Sequence, residues 1–276
     1  MVNAGAGMPR EAEIAEAIFR AEDELLAVGC RISTAPFAKV LRDGTLPLIY
    51  DVNGLRDVRG RPSHDELRRA CDAPGSSLGR HLRLVARDPA TVRHLDALLL
   101  PMGFSRQVCV AMSLEGPTPA PPVPRDLELL LVDPEDDALL QAVAAGQDLV
   151  RREEAWYGTE VSRQMDELAL RQMRLGGAEF VAAVTPKGAV VGSLLMRCAG
   201  GVGFIADVGT VPKERRRGIA SALVAAAAAV CRDRGCEIVG LTARRDGNPR
   251  KIYGALGFVA VGESVDWLRT GPLPLG

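Results

Sequence analysis

Between Gly203 and Gly235 the sequence changes its period once, and that change limits what the chain can fold into. Phe204 to Val211 reads as a strand, Pro212 breaks it, and after a short charged turn a helix is expected from about Arg217 through the alanine run to Arg234. Gly235 stops that helix, as a glycine just past a C-terminus does. The start of the helix is the anomaly. Arg215, Arg216 and Arg217 crowd a helix N-terminus, whose partial positive charge favours acidic neighbours. A bound anion resolves the conflict, because exposed backbone N–H groups, the helix dipole and adjacent guanidinium groups together make a phosphate site. Gly218 and Ala220 have little or no side chain, so a bulky anion can reach the main chain. A solvated basic helix start is the plainer alternative.

A chain of 276 residues suffices for two ordinary domains or one large one, and a 47% hydrophobic content supports a substantial core. The 30 arginines against 4 lysines do not mark a nucleic-acid surface, since the net charge is −1 and neither half is strongly basic. Cys30, Cys71, Cys109, Cys198, Cys231 and Cys236 are scattered without C-x-x-C spacing and read as reduced, mostly buried thiols. No apolar run approaches the ~18 residues of a membrane span, and Glu11, Glu13 and Glu16 interrupt any secretory leader, so a cytoplasmic location and no membrane partner are expected. His64, His81 and His94 are too few and too dispersed for a metal site, so none is expected.

Residues 116–124 hold five prolines in nine positions, which excludes helix and regular sheet and marks the expected domain boundary. The expected organisation is therefore an N-terminal domain over 1–116, a linker over 117–124 and a second domain over 125–276. In the first, helices are expected over 9–28, 63–71 (opened by the capping box of Ser63 and Glu66) and 89–100, with strands over 31–33, 46–52, 81–86 and 106–114 and a loop over 74–77. Asp51, Val52, Asn53 and the charged stretch Arg56 to Arg61 are candidates to line a substrate path, an ordinary solvated loop being the stronger alternative. In the second, a strand at 127–132 precedes helices over 134–154 and 161–175, interrupted at Trp156-Tyr157-Gly158. Strands over 180–184 and 190–197 then form a hairpin, and after the central helix come a strand at 237–242, a helix bearing Tyr253, and a closing strand.

The run Arg215-Arg216-Arg217-Gly218-Ile219-Ala220 resembles the Q/R-x-x-G-x-G/A signature of the GNAT superfamily of acyl-CoA-dependent N-acyltransferases. The strand ending in Val211-Pro212 and the small-residue helix strengthen the likeness. So does a second segment, in which Tyr253 is followed by Leu256-Gly257-Phe258. The resemblance implies an α+β fold with a mixed, mostly antiparallel sheet flanked by helices. Met102-Gly103-Phe104 repeats the closing pattern in outline, which implies two such halves in tandem, the first degenerate and without the arginine turn.

The resemblance also implies roles. Acetyl-CoA is the expected acyl donor, with main-chain groups of Gly209, Thr210 and Val211 along its pantetheine arm and those of Arg216, Arg217, Gly218, Ile219, Ala220 and Ser221 on its pyrophosphate. The family's asparagine usually stands seven residues before the tyrosine, where this chain has Asp246; Asn248, five before, is the replacement expected to touch the cofactor. Tyr253 is the expected general acid for the leaving thiolate. Two positions where relatives carry a glutamate base hold Phe204 and Leu241 here, so Asp207, the carboxylate of the central strand, is the candidate base, with Glu153 and Glu154 as second choices. The expected activity is N-acetylation of a primary amine on a small molecule, with no nucleic acid or membrane as partner and a homodimer left open. A catalytically silent acyl-CoA-binding regulatory module and a protein N-acetyltransferase are the alternatives.

Overall fold

The computed structural model of the protein describes residues 9–71, 81–117, 120–153 and 158–270. In chain order the first elements are α1 (Pro9–Leu26), β1 (Arg31–Ala35), β2 (Ala38–Arg42), β3 (Gly54–Val58), α2 (His64–Cys71), β4 (His81–Ala86), α3 (Pro89–Leu99) and β5 (Ser105–Leu114). There follow β6 (Glu128–Leu131), α4 (Asp137–Arg151), α5 (Thr159–Gly176), β7 (Ala178–Val184), β8 (Val190–Ala199), β9 (Val202–Thr210), α6 (Ile219–Asp233), β10 (Ile238–Arg244), α7 (Asn248–Ala255) and β11 (Phe258–Thr270). The fold is α+β, with mixed and mostly antiparallel strand pairing and helices packed on the strands.

Two compact units divide the chain, and neither is continuous in sequence: one takes Met1–Leu25 and Val110–Gly262, the other Leu26–Cys109 and Glu263–Gly276. This departs from the boundary expected at 117–124, for two physical reasons. The apolar stripe of α1 (Ala15, Ile18, Phe19, Leu25) is buried in a core of the first unit with Ala111, Phe180 and Leu195. The later part of β11 pairs antiparallel with β4, from Val265 opposite Ala86 to Thr270 opposite His81, and so belongs to the second unit. Each unit thus takes its last strand from the other end of the sequence: β10 has β5 as a neighbour, and β4 has β11.

In the first unit β6, β7, β8 and β9 run antiparallel in succession, and β10 lies parallel to β9. A parallel pair needs a crossover, and α6 provides it. Alternation along the strands then builds two cores. Ile205, Val239 and Leu241 face Leu223, Ala227 and Cys231 of α6, Tyr253 of α7 and Leu256 just past its end, while Phe204 and Phe180 face α1, α4 and α5. Cys198 and Cys231 lie Sγ to Sγ at 3.5 Å, and burial pushes the Cys231 and Cys236 thiols up, so they are poor nucleophiles.

The second unit repeats the parallel pair with its crossover, since β3 lies parallel to β4 across α2, and its core centres on Leu55, Leu84, Leu95 and Trp267. The strand expected over 46–52 is instead a tight turn closed by a 3-10 turn at Tyr50–Val52. Its apolar residues Leu46, Ile49 and Val52 recur every third position, which suits a turn and not a strand. Asn53 locks it, donating to the Leu46 and Ile49 carbonyls (both 2.9 Å) and accepting from the Asp43 amide at 2.9 Å. The stretch considered for a substrate path is equally structural: Arg56 is 1% exposed on β3, and Asp51 pairs with Arg83, which also binds Asp266. The Ser63 to Glu66 capping box forms as expected, with Glu66 accepting from the Ser63 amide at 2.8 Å. The loop expected at 74–77 lies outside the described residues.

Candidate active site

The pairing of β9 with β10 stops early. Residues 202–205 match 238–241, yet β9 continues to Thr210 and β10 to Arg244, so beyond Ile205 and Leu241 the two strands part into a slot. A bulge in β9 marks the parting. On its other side Leu195 of β8 opposes Ala206 while Ser193 opposes Gly209, so β9 carries one extra residue between the two pairs. Asp207 absorbs it with a left-handed backbone, φ 50°, which is uncommon for a residue with a side chain. Gln147 of α4 clasps the bulge, donating to the Asp207 carbonyl at 3.3 Å and to Ser193 Oγ at 2.8 Å.

Asp207 is an exposed residue at the bulge, although the protein around it crowds its carboxyl. Lost hydration from that crowding pushes its carboxyl above the ordinary range. The Arg151 guanidinium pulls it partly back down, and the charge of Glu22 pushes it further up. Tyr253 of α7 faces the same space. Burial lifts its phenol to about 12, with the charge of Asp207 as the second cause. Arg151 and Glu22 belong to elements on one side of the strands and Tyr253 to the other, so Asp207 sits where the slot opens to both faces.

At the far end of β9 the Val211 amide still bonds Val191 at 2.9 Å; the chain then makes a 3-10 turn at Pro212–Glu214. Arg216 (φ 62°) and Gly218 (φ 81°, ψ 3°) both turn left-handed, and α6 begins at Ile219, two residues later than expected. No side chain caps this end. The first helical bond runs from the Ala222 amide to the Gly218 carbonyl at 3.0 Å, which leaves the amides of Ile219, Ala220 and Ser221 without a helical acceptor. Glycine at 218 both permits the backbone and keeps the approach open, with nothing within 4 Å of where a Cβ would stand.

The three arginines are not equivalent. Arg215 pairs with Glu153 and donates to the Thr210 carbonyl at 3.2 Å. Arg217 pairs with Glu214 and holds Asp126 in a fork at 2.5 and 2.8 Å. Among the described residues only Arg216 of the three has a side chain without a hydrogen-bonded or ionic partner. The guanidinium of Arg217 is therefore committed to carboxylates, and what Arg217 can offer an anion is its main chain. Ile219 is 2% exposed and offers only its amide, its side chain lying in the core. Asn248 is the exposed first residue of α7. Glu153 is occupied by Arg215, and Glu154 and Trp156 lie outside the described residues.

Beside Gln147 a cavity of about 230 Å³ opens between α4 and α5, lined by Leu140, Val143, Asp166, Leu170 and Phe180. Asp166 takes a 2.6 Å bond from Arg151, and burial pushes its carboxyl up. Gln147 and Glu22 are parts of this neighbourhood that motif reasoning misses, because both come from helices whose apolar periodicity says nothing of where their polar residues point. Among the described residues no group of three or more His, Cys, Asp or Glu could hold a metal ion, and no helix is long and apolar enough to cross a membrane.

The chain is similar to known proteins in sequence and in fold. The model of the acetyltransferase (GNAT) family matches residues 147–258. A functionally unknown conserved protein from Staphylococcus epidermidis aligns at TM-score 0.66 with 17% identity, over 88% of this chain and 95% of its own. A GCN5-related N-acetyltransferase from Kribbella flavida aligns at 0.62 with 20% identity, over 95% and 96%. A tandem GNAT protein from the clavulanic acid biosynthesis pathway aligns at 0.51 with 15% identity, over 93% and 96%. No curated protein matches the sequence.

Proposed function

Since residues 147–258 of this chain belong to the GNAT family of acetyltransferases, we propose that the protein transfers the acetyl group of acetyl-CoA to a primary amine of a small molecule. The observation that carries this reading is a single strand, β9, with an open edge and an exposed aspartate at its bulge and an uncapped anion-accepting turn at its end. A long donor with a diphosphate at one end and a reactive group at the other suits that layout. The residues present fit it: the amides of Ile219, Ala220 and Ser221 with the Arg216 side chain would take the diphosphate, and main-chain groups of Gly209 to Val211 would line the arm. Asn248, the exposed first residue of α7, would be a further contact. Coenzyme A, when bound, supplies the acyl group as an activated thioester.

The chain's own residues do the rest. Amine attack requires loss of a proton, and Asp207, raised toward neutrality and exposed at the bulge, accepts it. The Val208 amide, next after the bulge, would stabilise charge developing on the acyl oxygen. Tyr253 holds its proton throughout the physiological range and donates a hydrogen bond to the departing sulfur. Full transfer from a phenol near 12 to a thiolate of ordinary pKa ≈ 8.5 is uphill, so its contribution is hydrogen bonding more than acid catalysis. Tyr253→Phe should accordingly lower kcat by about ten- to hundredfold with the dissociation constant for acetyl-CoA unchanged. Equal turnover of the two proteins would remove Tyr253 from the mechanism.

Calorimetry with acetyl-CoA, together with thiol release over a panel of amines, tests the whole reading. A folded protein that gives no heat with acetyl-CoA overturns it. The arginine geometry adds a sharper expectation. Arg216→Ala should weaken acetyl-CoA about tenfold through loss of a charge-assisted contact, whereas Arg217→Ala, which breaks only exposed ion pairs, should change it less than about threefold. The reverse order would place the diphosphate elsewhere. We further propose that the β3, α2, β4 arrangement of the second unit is a copy of β9, α6, β10, since strand, helix and parallel strand recur in the same order, and that it is degenerate, since its turn Arg59-Gly60-Arg61-Pro62-Ser63 lacks the R-x-x-G-x-G/A pattern.

A further inference from the structure

At the end of α6 remote from the arginine turn, three thiols meet. The helix closes on a glycine cap: the Cys236 amide donates to the Cys231 carbonyl at 3.0 Å and the Gly235 amide to that of Arg232 at 2.8 Å, with Gly235 left-handed at φ 80°. The cap folds Cys236 back beside Cys231. Cys198 of β8 stands opposite Gly203 of β9 in the strand register. A Cβ at 203 would come within 2.5 Å of Cys231 Cβ and 3.5 Å of Cys236 Sγ. Glycine there leaves a space that Cys231 fills as a cross-strand neighbour of Cys198 would. The Cys198 and Cys231 sulfurs are consequently 3.5 Å apart. Cys198 also shares hydrogen bonds with Cys236 and with the Arg234 guanidinium, which a fork to Glu179 holds in place.

Exposure divides the roles. Cys231 has no exposed surface, whereas Cys198 is half-buried and is the sulfur a small solute can reach. We propose that Cys198 and Cys231 are a modification site, forming a reversible disulfide when a hydroperoxide such as hydrogen peroxide reaches Cys198. Cys198 Sγ attacks the O–O bond: an S–O bond forms, the O–O bond breaks, and the departing oxygen takes the thiol proton and leaves as water, with Arg234 beside the developing charge. The Cys231 sulfur then displaces the oxygen left on Cys198, an S–S bond replaces the S–O bond, and the Cys231 proton completes a second water. The two sulfurs together give up two electrons and the peroxide takes them; a dithiol reverses the bond by exchange. Burial raises the Cys231 thiol and makes it a poor nucleophile, but its sulfur has only to close from 3.5 Å to about 2 Å, and reactants held together need little inherent reactivity. The bond would tie α6 to β8 about 18 Å from the arginine turn at the start of the helix.

The full chain is treated with hydrogen peroxide and quenched with catalase, and its free thiols are counted with Ellman's reagent in denaturant. Mass spectrometry of the non-reduced digest maps the bonds. The wild type should lose two of its six thiols, the map should join Cys198 to Cys231, and dithiothreitol should restore both. Cys198→Ser should abolish the bond, and Cys231→Ser should leave Cys198 as a sulfenic acid that dimedone captures. The half-buried Cys198 position serves alone if the buried Cys231→Ser variant does not fold. Six thiols retained, Cys198 joined to any other cysteine, or a sulfinic acid at Cys198 as the first product overturns the proposal. None of these readouts involves acetyl-CoA or an amine, so the outcome stands apart from that of the acyl-transfer reading.

Discussion

Asp207→Asn is expected to lower kcat/KM for the amine by a factor of about 10² to 10⁴, the range typical of a removed general base, with acetyl-CoA affinity little changed. The substitution keeps size and polarity at the bulge, and asparagine tolerates the left-handed backbone, so the loss isolates the proton acceptor from the architecture. The pH dependence follows from the direction of the shift. A base works when unprotonated, and the carboxyl of Asp207 is raised, so wild-type kcat/KM should fall with acidification through a value above the ordinary carboxylate pKa of ≈ 3.9. That limb should vanish from the residual activity of the variant. Steady-state rates from acid to mildly alkaline pH measure both effects. Retention of activity within about threefold, or an unaltered acid limb, assigns the proton to another group.

Trp267→Ala should be the most destabilising single change in the second unit, costing about 3–5 kcal/mol, the usual range for a large core aromatic cut to alanine. Trp267 is fully buried in β11 among Leu84, Leu95 and Leu99. Its indole donates to Asp96 Oδ1 at 2.9 Å, an oxygen that also accepts from Arg106 Nε at 2.9 Å. Truncation therefore opens a cavity and leaves Asp96 one donor short. Urea unfolding followed by amide exchange in β4 reads the loss. A cost below about 1 kcal/mol would mean that the site collapses onto smaller neighbours and that the hydrogen bond contributes little.

Much of the first unit was legible in the sequence because its signals are local. The Pro212 break, the arginine turn, the alanine helix and Leu256-Gly257-Phe258 are each read within a few residues, and the strands and helices expected there fall within a few positions of those observed. The second unit was less legible for equally physical reasons. Leu46, Ile49 and Val52 supply the apolar content of a strand at the spacing of a turn, and the side chain of Asn53, not the local backbone, decides between them. Arg56 reads as solvated and is buried. The boundary at 117–124 is a real break in composition, yet composition cannot reveal that β11 ends beside β4. At the site, Asp207 was reachable as the carboxylate of the central strand. Glu22 was not, because only the packing of Ile18 on Gly240 brings it to Thr242.

The pairing of β4 with β11 joins residues such as Arg83 and Asp266, 183 positions apart, and so sets an order of events during biosynthesis. A ribosome releases β4 long before its partner exists, and the emerging segment must wait with one backbone edge unpaired and its core short of Val265 and Trp267 until the distal strand is made. Distant closures of this kind slow folding more than they weaken the finished product. Chaperone dependence in the cell, and aggregation of any fragment ending before residue 263, are the observable costs of that delay.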